Sequence, residues 1–226
     1  MAIVADEVIF SKRKTISIEV KADGRLVLRV PNRTTQKRIA EVLEIKADWI
    51  RQAKERVLRS KASRVDIVFK DGGSLPLFGK NYPLRVVDKP QGGLVFEPAL
   101  GFSLDKEYLD VGRQLLVGMY RLQTRQKVTA IAAQVGRKWG LSWQGIRITS
   151  AKTRWGSCSS KNSLNFSYRL ALLPLDLVEY VVVHELAHTR HHDHSARFWN
   201  LVGEMMPDYQ QRRKRLKEIA RTLPEI

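Results

Sequence analysis

All five histidines of the chain fall within eleven residues: His184, His188, His191, His192 and His194. Histidine is the commonest metal ligand and titrates near neutral pH, so a cluster this tight points first to metal chemistry. At its centre is His184-Glu185-Leu186-Ala187-His188, an H-E-x-x-H. On a helix four residues turn through about 400°, so the two imidazoles stand ~40° apart, one turn above each other. Both then reach one ion at about 2.0–2.1 Å, as Zn²⁺ requires. Glu185 lies ~100° from His184, at the edge of that face. It is placed to touch a water on the metal rather than the metal itself, and to take that water's proton as it attacks. The competing reading of so short a motif is a helix carrying solvated histidines.

A catalytic metal needs a third protein ligand and an open position. His194 is the best candidate. On a straight helix it would face ~240° away from His188, so the chain must turn back between them. No glycine is there to make the turn. The sequence therefore predicts a strained or left-handed conformation at His191, His192 or Asp193, which His and Asp tolerate better than most residues. Ser195, as the next N-cap, would fix the direction of entry. His191 is the rival ligand: it shares a face with His184 but lies ~10.5 Å along the axis, a span hard to share while His188 also binds. His191 and His192 are read as solvent-exposed or as neighbours of the ligands.

These residues need a helix to carry them. Pro174 or Leu175 opens one that is expected to run to about His191, with Val181-Val182-Val183 packing ahead of the motif. Ser195 opens another that ends near Met206-Pro207, and a last helix covers about 208–222. Upstream, residues 106–139 read as two helices broken near Gln123-Thr124. Ile146–Ile148 reads as a short strand, Trp155-Gly156-Ser157-Cys158 as a turn, and 163–169 as a strand. Nearer the N-terminus, 15–20 and 25–30 alternate across Ala22-Asp23-Gly24, a hairpin signal. Thr34 or Thr35 caps a helix over about 36–59. Glycine and proline then punctuate 64–104, with short β runs at 65–69, 82–87 and 93–97. The fold class expected is α+β: a β-rich N-terminal region with one helix over 1–104, and a mainly helical region over 105–226, the two packing as one body or as neighbours.

Composition narrows the partners. The chain has 226 residues and 43% apolar content, enough for a buried core rather than disorder. Its 40 Lys+Arg against 23 Asp+Glu give +17, which favours anionic partners or, more blandly, a Lys/Arg-rich coat. One cysteine, Cys158, excludes an internal disulfide framework and a Cys-rich zinc module. The N-terminal stretch lacks the pattern of a signal peptide, and no run approaches the ~18–20 apolar residues of a membrane span. A soluble cytoplasmic protein without a membrane partner is expected, with a monomer favoured.

The charge is unevenly spread. Between Asp110 and Asp176 there is no Asp or Glu over 65 residues, while eleven Lys and Arg fall there. Arg154 and Arg169 supply forked donors that can hold a carboxylate or phosphate bidentately, and Asn165 adds an amide. These three are the candidate substrate-binding residues; the alternative is that they solvate a surface. Trp155 and Cys158 are read as core. Tyr209 could donate to a developing oxyanion, and the Arg/Lys-dense Gln211–Lys217 is read as a solvated face.

The runs YVVVHELAH, HDHSARFW and MPDYQQRRKRL, with KTRWGSCSSKNSLNFSYRLALLP upstream, resemble the YgjP-like metallopeptidase family, a branch of the zincins related to SprT-like proteins. Those motifs span about 150–216. The resemblance implies a zincin-like metallopeptidase domain, a zinc cofactor held by His184, His188 and His194, Glu185 as general base, and a peptide or protein substrate. The H-x₅-H interval after the motif matches metzincin spacing, but His191 stands where that pattern has glycine. Three functions are expected to compete. The first is a zinc metallopeptidase. The second is a metal-dependent hydrolase of nucleoside triphosphates or other phosphate esters, using the basic wall, although the chain has neither a P-loop nor a Mg²⁺-binding carboxylate cluster. The third is a nucleic-acid-associated protease.

Overall fold

The computed structural model describes residues 3–21, 23–62, 67–88, 92–224 and 226. It divides into two compact units, 1–65 and 66–226. That division lies well before the 104/105 boundary read from the sequence, because the strands of 73–105 share one hydrophobic core with the helices that follow. Among the described residues no helix is long and apolar enough to cross a membrane.

In the first unit, β1 (Glu7–Ser11), β2 (Ser17–Val20) and β3 (Leu26–Pro31) form a sheet in the order β1-β3-β2, with β1 parallel and β2 antiparallel to β3. The expected hairpin is β2–β3; Ala22 of its turn lies outside the described residues. The expected single helix over 36–59 is two, α1 (Gln36–Ile45) and α2 (Ala47–Ala62). Lys46 at φ −101°, ψ 10° leaves the helical basin and bends the path, while Thr35 is the N-cap and accepts from the Arg38 amide. Ile39, Leu43 and Ile50 bury against Leu26, Leu28 and Val30.

In the second unit, β4 (Gly73–Leu77), β5 (Lys80–Val87), β6 (Leu94–Glu97) and β7 (Gly101–Asp105) form a sheet ordered β4-β5-β7-β6. The strand expected at 65–69 is absent over 67–69, and 65–66 lie outside the described residues, as does Pro90. A 3₁₀ turn (Lys106–Val111) leads into α3 (Gly112–Trp139), one continuous helix rather than two. Its buried stripe is Gly112, Leu116, Tyr120, Thr124, Val128, Ala132 and Gly136, one residue per four. Thr124 does not break it because its hydroxyl is paired, donating to the Tyr168 carbonyl at 3.1 Å.

A second, smaller sheet follows: β8 (Gly145–Thr149), β9 (Gly156–Cys158) and β10 (Ser163–Ser167), in the order β8-β10-β9. Gly156–Cys158 is thus a strand and not the expected turn, paired antiparallel through Leu164↔Cys158 and Phe166↔Gly156. The strand expected over 163–169 stops at Ser167 and gives way to a 3₁₀ turn (Tyr168–Leu172). Next come α4 (Leu175–Ala187), α5 (Ala196–Met205) and α6 (Tyr209–Ile219). α4 is apolar almost all round, with Leu177, Val178, Val181, Val182, Val183, Leu186 and Ala187 buried. Three consecutive valines are weak helix formers, so packing on all sides holds this helix. α6 presents the expected solvated face, with Gln211, Arg213, Lys214, Arg215 and Lys217 exposed, while Arg212 and Leu216 turn inward. Arg212 donates to Glu179 at 2.7 Å and to the Asp176 carbonyl at 2.9 Å, clamping α6 to the start of α4.

Candidate metal centre

α4 carries His184 and Glu185 into the core and ends with His188 at its C-cap. Burial, then the neighbouring His188 and His194, pushes the His184 imidazole down to about 3. Burial also lowers His188. Both rings are therefore neutral near pH 7 and offer lone pairs. His188 Nδ1 lies 2.9 Å from the His191 carbonyl oxygen. A carbonyl only accepts, so Nδ1 carries the proton and Nε2 is left with its lone pair.

The chain then turns back, but not as the sequence predicts. No residue at 191–193 has a positive φ; among described non-glycine residues only Phe78 and Asn162 do. Instead the helix stops earlier and tightens, with Thr189 N–H bonding the Leu186 carbonyl at 3.0 Å and Arg190 N–H the Ala187 carbonyl at 3.1 Å. Seven residues then separate Ala187 from Ser195, so no single one must adopt a strained conformation. Ser195 is the N-cap of α5, though its hydroxyl makes no capping bond; its amide donates to Asp193 at 3.3 Å.

This path brings His194 Nε2 to 3.2 Å from His184 Nε2. One ligand atom from each of His184, His188 and His194 lies within 4.8 Å of the others. Nitrogens bound to one tetrahedral ion at about 2.0–2.1 Å are themselves roughly 3.4 Å apart. Converging imidazole nitrogens with no carboxylate or thiolate among them suit a divalent transition metal rather than Ca²⁺ or Mg²⁺. His191 serves through its carbonyl, while His192 is exposed.

The floor under the three rings is aromatic, and it was not read from the sequence. Phe198, fully buried, stacks on His188 at 4.3 Å and meets His184 and His194 edge-on at 4.9 Å each. Trp199 stacks on His194 at 5.6 Å, Tyr209 on Trp199 at 5.4 Å, and the Arg213 guanidinium sits 4.7 Å over Trp199. Phe198 sits in the first turn of α5, whereas His194 precedes that helix, so no helical spacing linked the two in the sequence. Tyr209 is thus tied into this stack, and its hydroxyl accepts from Gln210 at 3.4 Å.

Glu185 is 6% exposed. Burial pushes its carboxyl up to about 8, against the pull of Arg154. The space it occupies is made by Gly156 on β9: a Cβ there would lie 2.6 Å from Glu185 Cγ and 2.7 Å from Oε1. Gly156 pairs with Phe166, which pairs with Ile148, so this row of side-chain positions faces α4. Ser157, Asn165 and Arg147 form the alternate row and face the other way. Asn165 therefore points away from Glu185. Arg169 is also turned elsewhere: it lies 5.4 Å over the Trp155 ring and donates to the Lys152 carbonyl at 2.9 Å. Arg154 is exposed at the rim, and its charge alone of the three reaches Glu185. The basic stretch is no continuous wall: Arg121 and Arg125 hold the Ile148 and Ile146 carbonyls, and Lys127 and Lys138 lie over Phe78 and Trp139.

Two solved structures are similar over part of the chain. One is the metallopeptidase zymogen of Pyrococcus abyssi abylysin, at 20% identity and TM-score 0.38, covering 42% of this chain and 98% of that one. The other is the metallopeptidase zymogen of Methanocaldococcus jannaschii jannalysin, at 17% identity and TM-score 0.37, covering 40% and 94%. No curated protein matches. The family model described as YgjP-like, metallopeptidase domain, matches residues 14–219, nearly the whole chain with both the histidine cluster and the strand that faces it, and the protein accordingly belongs to the YgjP-like metallopeptidases.

Proposed function

We propose that this metallopeptidase is a zinc enzyme in which His184, His188 and His194 hold the ion and Glu185 is the general base for peptide-bond hydrolysis. The observation that carries it is the convergence of three imidazole nitrogens within 4.8 Å, with Glu185 buried beside them. A bound zinc ion would supply Lewis-acid polarisation of the scissile carbonyl and acidify water at its open position. The protein does the rest. Glu185 Oε takes the proton from the attacking water, which requires its ionised form; burial opposes that form, while Arg154, and a bound cation, would favour it. The same oxygen then hands that proton to the departing amine nitrogen.

The substrate backbone has a natural rail. Trp155 O accepts from Ser167 N–H at 2.8 Å, and Ser159 N–H donates to Ser163 O at 2.9 Å. In an antiparallel ladder residues alternate, so the backbone groups of Gly156 and Cys158 point off the free edge of β9. An extended peptide can pair there as an added strand, directly above Glu185. Glu185→Gln tests the chemistry: the variant should bind zinc stoichiometrically and lose about 10²–10⁴-fold in peptide hydrolysis. Zinc-loaded Glu185→Gln with full activity would overturn the assignment.

A further inference from the structure

The alternate row of the small sheet, the face turned away from α4, holds a second polar cleft. Its volume is about 160 Å³, and Arg147, Thr149, Arg154, Ser157, Asn165 and Ser167 line it. That is room for several waters. Most hydrogen-bonding groups here are already committed. Ser167 donates to the Ala151 carbonyl at 2.8 Å, and Thr149 donates to the Phe166 carbonyl at 3.4 Å. Asn165 donates one amide hydrogen to Ser157 Oγ at 3.4 Å. That leaves the Ser157 hydroxyl hydrogen, the second Asn165 amide hydrogen and two whole guanidiniums. Neither Arg147 nor Arg154 makes a hydrogen bond or ion pair with any described residue. No Asp or Glu lies in the 65 residues that build this sheet and its approaches.

Two guanidiniums beside one cleft with no carboxylate partner can hold an anion bidentately. Two forks, a hydroxyl and an amide offer more donors than the two oxygens of a carboxylate can take up. A tetrahedral phosphate group uses them better. We propose that this cleft is a phosphate-group binding site. It opens on the face of the sheet turned away from α4 and borders the metal centre at its rim, where Gly156 and Arg154 adjoin both. The proposal does not depend on the metal chemistry. Arg147 contributes from β8, Asn165 from β10 and Ser157 from β9, so the donors sit on three paired strands rather than on a mobile loop.

Isothermal titration calorimetry on the full zinc-loaded chain tests this, with inorganic phosphate, phenyl phosphate and acetate titrated separately at low ionic strength. One phosphate should bind per chain, more tightly than acetate, and weaken with added salt. Arg147→Ala and Arg154→Ala should each weaken it by about tenfold or more. Arg147 is exposed, and circular dichroism of each variant reads its fold. His188→Ala should leave phosphate binding intact, which separates this site from the ion. A tighter phenyl phosphate complex would identify an ester as the ligand, and a tighter inorganic phosphate complex the free ion; both support the site. Absence of saturable binding, binding unmoved by Arg147→Ala, tighter binding of acetate, or loss of binding in His188→Ala would each overturn it.

Discussion

Replacing Gly156 with alanine should separate holding the metal from using it. Gly156 has no positive φ, so alanine introduces no backbone strain, and the whole effect comes from its Cβ. That atom would lie 2.6, 2.7 and 2.9 Å from Glu185 Cγ, Oε1 and Cδ. Carbon atoms in favourable contact sit at about 3.5–4.0 Å, so the overlap is about 1 Å. Neither backbone is free to yield: β9 is paired to β10, and α4 is buried along most of its length. The Glu185 side chain must swing instead. Overpacking of this kind costs about 1–3 kcal/mol, or a fall in Tm of roughly 2–12 °C for a unit of this size. Moving a catalytic group by ~1 Å costs about 10²-fold in rate. The assay pairs cleavage of a fluorogenic peptide with zinc content by mass spectrometry. Zinc should stay at one per chain while hydrolysis falls about a hundredfold. The Tm loss should then vanish when Glu185→Ala removes the clashing atoms, a coupling of about 1–3 kcal/mol in the double-mutant cycle. Wild-type hydrolysis by Gly156→Ala, or the same Tm loss in both backgrounds, would refute the contact and its role.

Three further outcomes are expected. Phe198→Ala, which removes the buried floor under three imidazoles, should lose about 3–5 kcal/mol of stability in denaturant titration and weaken zinc binding measured by competition with a chelating dye; unchanged zinc affinity would show that the stack does not position the rings. Burial, followed by the charge of Glu185, pushes the Cys158 thiol up to about 11, so its alkylation by iodoacetamide at pH 8 should run roughly a hundredfold slower than that of free cysteine and speed up as pH approaches 11. Chelation should lower Tm, because an ion that binds only the folded state at a hundred times its Kd adds about 2.7 kcal/mol; a Tm indifferent to the chelator would mean that the histidines hold no ion.

How much was legible depended on the range of the interaction. His184, Glu185 and His188 follow from helical geometry within one turn, and β8, β10 and α4 follow from local patterns. A helix running to 191 would make the turn to His194 strained; in the structure the helix stops at Ala187, and nothing in the local pattern marks that stop. β9 is three residues long and exists only through its pairing with β10, so it read as a turn. Gln123-Thr124 looked like a break because a polar pair in a helix is ordinarily exposed. Here Thr124 meets a carbonyl 44 residues away, which no window along the chain can see. How Arg154, Asn165 and Arg169 are placed relative to one another was least legible, since a sheet sends alternate residues to opposite faces and the register of three strands decides which face is which.

The two edges of the small sheet are covered differently. The β8 edge is closed: Arg121 and Arg125, projecting from α3, take up the Ile148 and Ile146 carbonyls at 3.4 and 3.3 Å. An edge whose carbonyls are occupied no longer templates another strand. The β9 edge carries no such cover among the described side-chain bonds. On the proposed function, a peptide would add to this sheet at one edge, beside Gly156, rather than at two. Acidic residues in this stretch would compete with those carbonyls for the same guanidiniums, and would pair with Arg147 and Arg154 across the other face. The absence of Asp and Glu between Asp110 and Asp176 thus has a local consequence. It leaves arginine free to close one edge of the sheet, and leaves Arg147 and Arg154 without a hydrogen-bonded carboxylate.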